Sequence, residues 1–115
     1  MSETRARQVR PADRASLTAA GAGRFLLAGS VTMVTAPDLR AAGLQAFAAQ
    51  GGNLEIDLGA VVRVDSASLA LLIDWLAWAQ AGGRALRFTA LPPAMLALAR
   101  LSDVAAFLVG GPAAR

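Results

Sequence analysis

The stretch Ile56-Asp57-Leu58-Gly59-Ala60-Val61-Val62-Arg63-Val64-Asp65-Ser66-Ala67-Ser68-Leu69-Ala70-Leu71-Leu72 decides how this chain folds. Leu54, Ile56 and Leu58 are separated by Glu55 and Asp57, the period-two pattern of a strand with one buried face. A short apolar step follows Gly59, and then the period lengthens. From residue 66 to about 81 apolar side chains recur at helical spacing, and Gly82-Gly83 stops the run. Between strand and helix lies Asp65-Ser66. Either residue is a good N-cap, because a short side-chain oxygen can accept from amides two or three positions on. At its simplest the motif is a strand followed by a capped helix.

Outward from this unit the same two periods alternate. Residues 15–20 and 24–29 read as short strands joined through Gly21-Ala22-Gly23, a hairpin. That Gly-Ala-Gly is not a phosphate loop, since it lacks the following helix and the lysine. From Thr35 a helix is expected: Thr35 or Ala36 caps it, Pro37 suits the first turn, and Asp38 suits the positive end of the dipole. Leu39, Ala42, Gly43, Ala46 and Phe47 carry the helical spacing as far as Gly51-Gly52. Downstream, residues 84–90 form a strand in which Leu86 and Phe88 alternate with Arg87 and Thr89. Pro92-Pro93 breaks it and opens a third helix to about Leu101, and Ser102 or Asp103 caps a last short helix over 104–109. The order β-β-α-β-α-β-α-α predicts a single α/β domain, a mixed β-sheet with helices packed on it. Residues 1–14 read as a flexible arginine-rich tail, 15–109 as the domain and 110–115 as a frayed end.

Composition narrows the chemistry. The 115 residues suit one domain. Cysteine and histidine are both absent, which removes disulfides, thiolate metal sites and the commonest general base. The eight acidic residues do not cluster, and Asp57 and Asp65, the pair nearest the motif, are expected to point apart. A non-catalytic protein without metal or cofactor is the expectation. The chain is 56% hydrophobic, but its longest continuous apolar run is Leu69 to Ile73, far short of the ~20 residues of a membrane span. No apolar signal region follows the first ten residues, so a cytoplasmic location is expected. All eleven basic residues are arginine, and Arg5, Arg7, Arg10 and Arg14 crowd the start. That segment reads as a solvated tail, with contact to nucleic acid or an anionic membrane surface as the alternative. No basic stripe interleaved with aromatics occurs elsewhere, and nucleic-acid binding is not expected.

The helix after Asp65-Ser66 points to a partner protein. Stepping ~100° per residue, Leu69, Leu72, Ile73, Leu76 and Ala79 share a face that should be core. The opposite side carries Ala67, Leu71, Asp74 and Trp78, with Trp75 at its margin. Leu71, Trp75 and Trp78 fall at i, i+4 and i+7 and would form an apolar ridge off the core side, where a surface helix normally carries charge. Tryptophan is enriched at binding hot spots. The alternative is that neighbouring helices cover one or both tryptophans.

The pattern Ile-Asp-Leu, a spacer, then Val-Asp-Ser-x-x-Leu-Ala-Leu-Leu resembles the STAS family of sulfate-transporter and anti-sigma-factor-antagonist domains, over roughly residues 25–108. Arg63-Val64-Asp65-Ser66 followed by Leu69-Ala70-Leu71-Leu72 is most similar to the STAS subunit of the Mla bacterial lipid-transport system. That branch implies a non-catalytic cytoplasmic subunit that binds the ATPase subunit of an ABC transporter. It would sit peripheral to the inner membrane through its complex, in phospholipid trafficking that maintains outer-membrane lipid asymmetry. The motif and the helix ridge together give an expected docking face of Asp65, Ser66, Ala67, Ser68, Leu71, Asp74, Trp75 and Trp78. The second branch resembled is the anti-sigma-factor antagonist, a partner of an anti-sigma-factor kinase, switched by phosphorylation of a hydroxyl just after the aspartate. In that branch the acceptor is the first or the second position after the aspartate: the first is Ser66, a phosphoacceptor candidate, whereas the second is Ala67, which cannot be phosphorylated, and Ser68 replaces the usual glycine.

Overall fold

A computed structural model describes residues 14–102, together with Ala105 and Leu108. Its elements are β1 (Ala15–Gly21), β2 (Arg24–Val31), α1 (Ala36–Ala48), β3 (Leu54–Val64), α2 (Ser66–Ala81), β4 (Leu86–Thr89) and α3 (Pro93–Leu101). The four strands form one sheet in the order β1-β2-β3-β4. β1 runs antiparallel to β2, whereas β2, β3 and β4 are parallel. The expected α/β class and mixed sheet are therefore observed, in the order β-β-α-β-α-β-α. The tail over residues 1–13 lies outside the described residues, as does most of the helix expected over 104–109. Of the latter, Ala105 and Leu108 are helical and Leu108 is buried.

The hairpin forms where the glycines predict it. Gly23 has φ +72°, and a Cβ there would lie 2.5 Å from the Asn53 carbonyl oxygen, so only glycine fits this turn. Its amide donates to Gln50 Oε1 at 2.7 Å, tying the turn to the end of α1. The ladder reaches one residue before β1, where Ser30 N donates to the Arg14 carbonyl at 2.7 Å. The strand step and the apolar step around Gly59 are not separate elements. They form one long strand, β3, which outreaches β4: the β3–β4 pairing spans only Leu54–Asp57.

One face of the sheet carries the core. Phe25, Leu27, Ile56, Leu58, Leu86 and Phe88 are buried on it, while Arg24, Asp57 and Arg87, which alternate with them, are exposed. Helix α2 is the central helix and packs against both α1 and α3. Leu69, Leu72, Leu76 and Ala79 are buried as the period requires. The rest of the helix corrects the expectation. Ile73, placed in the core by the period, is 37% exposed, whereas Leu71 and Trp75, placed on an outward ridge, are buried, Trp75 completely.

The cause is α1, which lies across that ridge. The indole of Trp75 occupies the space that a side chain at position 43 would fill: a Cβ on Gly43 would stand 2.6 Å from three of its ring atoms. Phe47 meets Trp75 edge-on at a centroid distance of 5.3 Å. Trp75 Nε1 points at the Arg40 carbonyl, 3.5 Å away. A helix apolar on nearly every side is one that is covered on more than one side, and α2 is such a helix.

Candidate functional site

The informative residues gather at the C-terminal ends of β2 and β3, the end of a parallel sheet at which function is usually built. Asp65 follows β3 directly and is the N-cap of α2. Its Oδ1 accepts from Ala67 N at 2.9 Å and Ser68 N at 3.3 Å, satisfying two amides that the helix itself leaves unpaired. Ser68 is fully buried, and its hydroxyl donates back to the Asp65 carbonyl at 2.5 Å. Ser68 thus closes the first turn from inside and presents nothing to solvent.

The second carboxylate oxygen reaches across to the neighbouring loop. Asp65 Oδ2 accepts from the amide of Met33 at 3.0 Å, which ties the β2–α1 connection to the start of α2. That connection is otherwise held by its own hydroxyls. Thr35 stands at the N-cap position of α1, as the sequence suggests, but its side chain makes no cap bond to the helix. Its Oγ1 instead donates to the Ser30 carbonyl at 2.7 Å and accepts from Thr32 N at 3.1 Å. Thr32 Oγ1 accepts from Val34 N at 3.2 Å. A short loop with this many internal bonds has a fixed shape, and what it fixes is an outward pair of apolar side chains: Met33 is 72% and Val34 63% exposed.

Ser66 is exposed beside them, and along α2 the solvent-facing positions continue as Ala70, Ile73 and Ala77, spaced at four, three and four residues. This stripe is uncharged. Asp74 flanks it, exposed, with Oδ2 accepting from Arg40 Nε of α1 at 3.1 Å. Val62, near the end of β3, is also exposed.

Of the residues assigned to docking, the structure brings Asp65, Ser66 and Asp74 to one accessible end and edge of α2, with Ala67 half-buried. Ser68, Leu71 and Trp75 are buried and do not belong to a surface. Trp78 is half-buried beside Phe47, at a centroid distance of 6.0 Å, beneath the Arg84 guanidinium 5.3 Å from its ring. The ridge is thus corrected to a packing seam. Sequence reasoning missed Met33, Val34 and the outward position of Ile73. The available signal was Met33-Val34 itself, two large apolar residues between a strand end and a helix start.

Among the described residues no group of three or more His, Cys, Asp or Glu is placed to hold a metal ion. Asp57 spends Oδ1 on the Gly59 amide at 2.7 Å. A shallow cavity of about 420 Å³ lies away from the site, at the N-terminal ends of the parallel strands, lined by Gly23, Arg24, Asn53, Glu55 and Arg87 among others. Among the described residues no helix is long and apolar enough to cross a membrane.

The sheet has an antiparallel leading hairpin and otherwise parallel strands, with a loop and a helix tip gathered at the strand ends. The family model described as "Mlab, STAS domain" matches residues 14–110, and the chain belongs to that family. No curated protein matches it.

Proposed function

We propose that this chain is a non-catalytic STAS subunit that docks through Met33, Val34 and the exposed edge of α2 onto the ATPase subunit of an Mla-type ABC transporter. In that role it supports the assembly or activity of a complex that moves phospholipid and maintains outer-membrane asymmetry. The observation that carries this reading is the rigidly held, uncharged surface of Met33, Val34, Ser66, Ala70 and Ile73. Loops ordinarily present polar groups, and a fixed apolar pair at a helix tip is suited to a partner's apolar pocket. The family described as "Mlab, STAS domain" supports the choice of partner.

The exposed hydroxyl of Ser66 at the start of α2 favours one further reading: an anti-sigma-factor antagonist switched by phosphorylation there. A phosphate would add nearly two negative charges next to Asp65 and the apolar pair.

The test is affinity purification of the tagged protein from its native cells with identification of what comes with it, repeated for Met33→Glu. Recovery of an ABC-type ATPase with its membrane partner, lost in the variant, is the expected result. Recovery of a histidine-kinase-like anti-sigma factor, released when Ser66 is phosphorylated, would replace the transporter reading with the switch. An ATPase retained at full yield by Met33→Glu would reject this face as the docking surface.

A further inference from the structure

The two outer strands of the sheet differ in how their free edges are protected. β4 is four residues long, carries the exposed Arg87 and runs into Pro92-Pro93. Short length, charge and proline are the usual means by which an edge strand is kept from pairing with another chain. β1 has none of them. It is seven residues long, Ala-Ser-Leu-Thr-Ala-Ala-Gly, without charge or proline. α1, which packs against β1, contains no lysine or glutamate, and its one arginine, Arg40, is engaged with Asp74 of α2.

The hydrogen-bond register shows which groups the edge offers. Ser30 N donates to the Arg14 carbonyl, and the strands pair Ser16 with Ala28 and Thr18 with Leu26. Antiparallel ladders alternate, so Arg14, Ser16 and Thr18 turn their backbone groups toward β2. Ala15, Leu17 and Ala19 turn theirs outward, and among the described residues no strand lies on that side. Leu17 is half-buried against the core cluster.

We propose that β1 is a self-association edge, on which a second copy of this chain adds its own β1 antiparallel to make one continuous sheet. The occupant follows from symmetry. An antiparallel strand pairing with itself is related by a twofold axis, so each copy supplies the groups the other needs. The register that uses the whole outward set places Leu17 opposite Leu17, with Ala15 opposite Ala19 on either side, and forms about six backbone hydrogen bonds. No like charges meet within the paired segment. The axis lies on a different element from the Met33–Val34 face, so the inference does not rest on the proposed partner.

The experiment is the molar mass of the purified full chain by light scattering over a wide concentration range, for the wild type and two edge variants. Ala19→Pro removes an outward N–H without touching the β1–β2 ladder, and Leu17→Lys installs the charge that other edges use; circular dichroism checks that each still folds. The wild type is expected to shift toward twice its monomer mass as concentration rises. Each variant should raise the dissociation constant by about tenfold or more, the equivalent of one net hydrogen bond. Because the chain has no cysteine, Leu17→Cys adds a position-specific readout. Facing Cα atoms of a hydrogen-bonded antiparallel pair stand ~5.5 Å apart, within disulfide reach, so the oxidised variant should run as a covalent dimer, whereas Ala20→Cys should not. A wild type monomeric at every concentration, or a dimer that both edge variants leave intact, would overturn the proposal.

Discussion

The two ends of helix α2 are built to opposite purposes. At the C-terminal end the surroundings close over it: Phe47 and the missing side chain of Gly43 admit Trp75, and Arg84 lies over Trp78. Arg84 also donates to three carbonyls, that of Phe47 in the last turn of α1 and those of Gln50 and Gly52 just beyond it, at 2.9, 2.6 and 2.8 Å. At the N-terminal end the hydrogen bonds are as numerous, yet they leave Met33 and Val34 bare. One end converts aromatic area into stability, and the other uses a polar framework to keep apolar area out of the fold. Apolar residues at the first end are structure; at the second they are surface available to a partner.

Substitutions rank this contrast. The largest effect is expected at Gly43→Leu, which forces a branched side chain into the Trp75 indole. Overpacking of this kind costs about 3 kcal/mol or more, and urea denaturation should show α1 and α2 unable to stay packed. Trp75→Ala leaves a cavity instead and should cost about 3–5 kcal/mol by the same measurement. Native stability retained in either variant would mean that the seam is not where the fold is held. Arg84→Met keeps much of the side-chain bulk but strips the end of α1 of its donors, and a loss of about 2 kcal/mol is expected. At the other end, Asp65→Ala removes a cap and the Met33 tether. About 1 kcal/mol should disappear from thermal stability, and hydrogen exchange at Met33 should accelerate. Met33→Glu should change stability by less than about 0.5 kcal/mol while abolishing co-purification of the partner. If Met33→Glu instead unfolds the protein, the contrast between the two ends fails.

Much of this was legible in the sequence, and the exception is instructive. Strand alternation at Leu54, Ile56 and Leu58, the Gly21-Ala22-Gly23 hairpin and the Asp65 cap all rest on local chemistry, and each is where its residues predict. The orientation of α2 rests on what lies beside it. With apolar residues on almost every side, the 3.6-residue period does not choose between Ile73 and Trp75 for the interior. The choice is made by α1, through a glycine 32 positions earlier in the chain, and no spacing within α2 records that. Gly43 was visible as a helical-face residue; that its lack of a side chain is the complement of an indole appears only once both helices are placed. The candidate site suffered the same way: Asp65 and Ser66 were found from their own sequence, while Met33 and Val34 belong to a loop brought to them across the sheet by the parallel pairing of β2 with β3.

The placement of the aromatic seam decides what light can report about this molecule. The chain has two tryptophans and no tyrosine, so its near-ultraviolet emission comes almost entirely from Trp75 and Trp78. Both sit where α2 meets its surroundings away from the Met33–Val34 tip, one fully enclosed and the other beneath a guanidinium. Emission should therefore be blue-shifted in the folded protein and move to longer wavelength when α1 lifts from α2. A partner seated on Met33 and Val34 should leave it nearly unchanged, so the natural chromophores follow the integrity of the fold and are blind to its use.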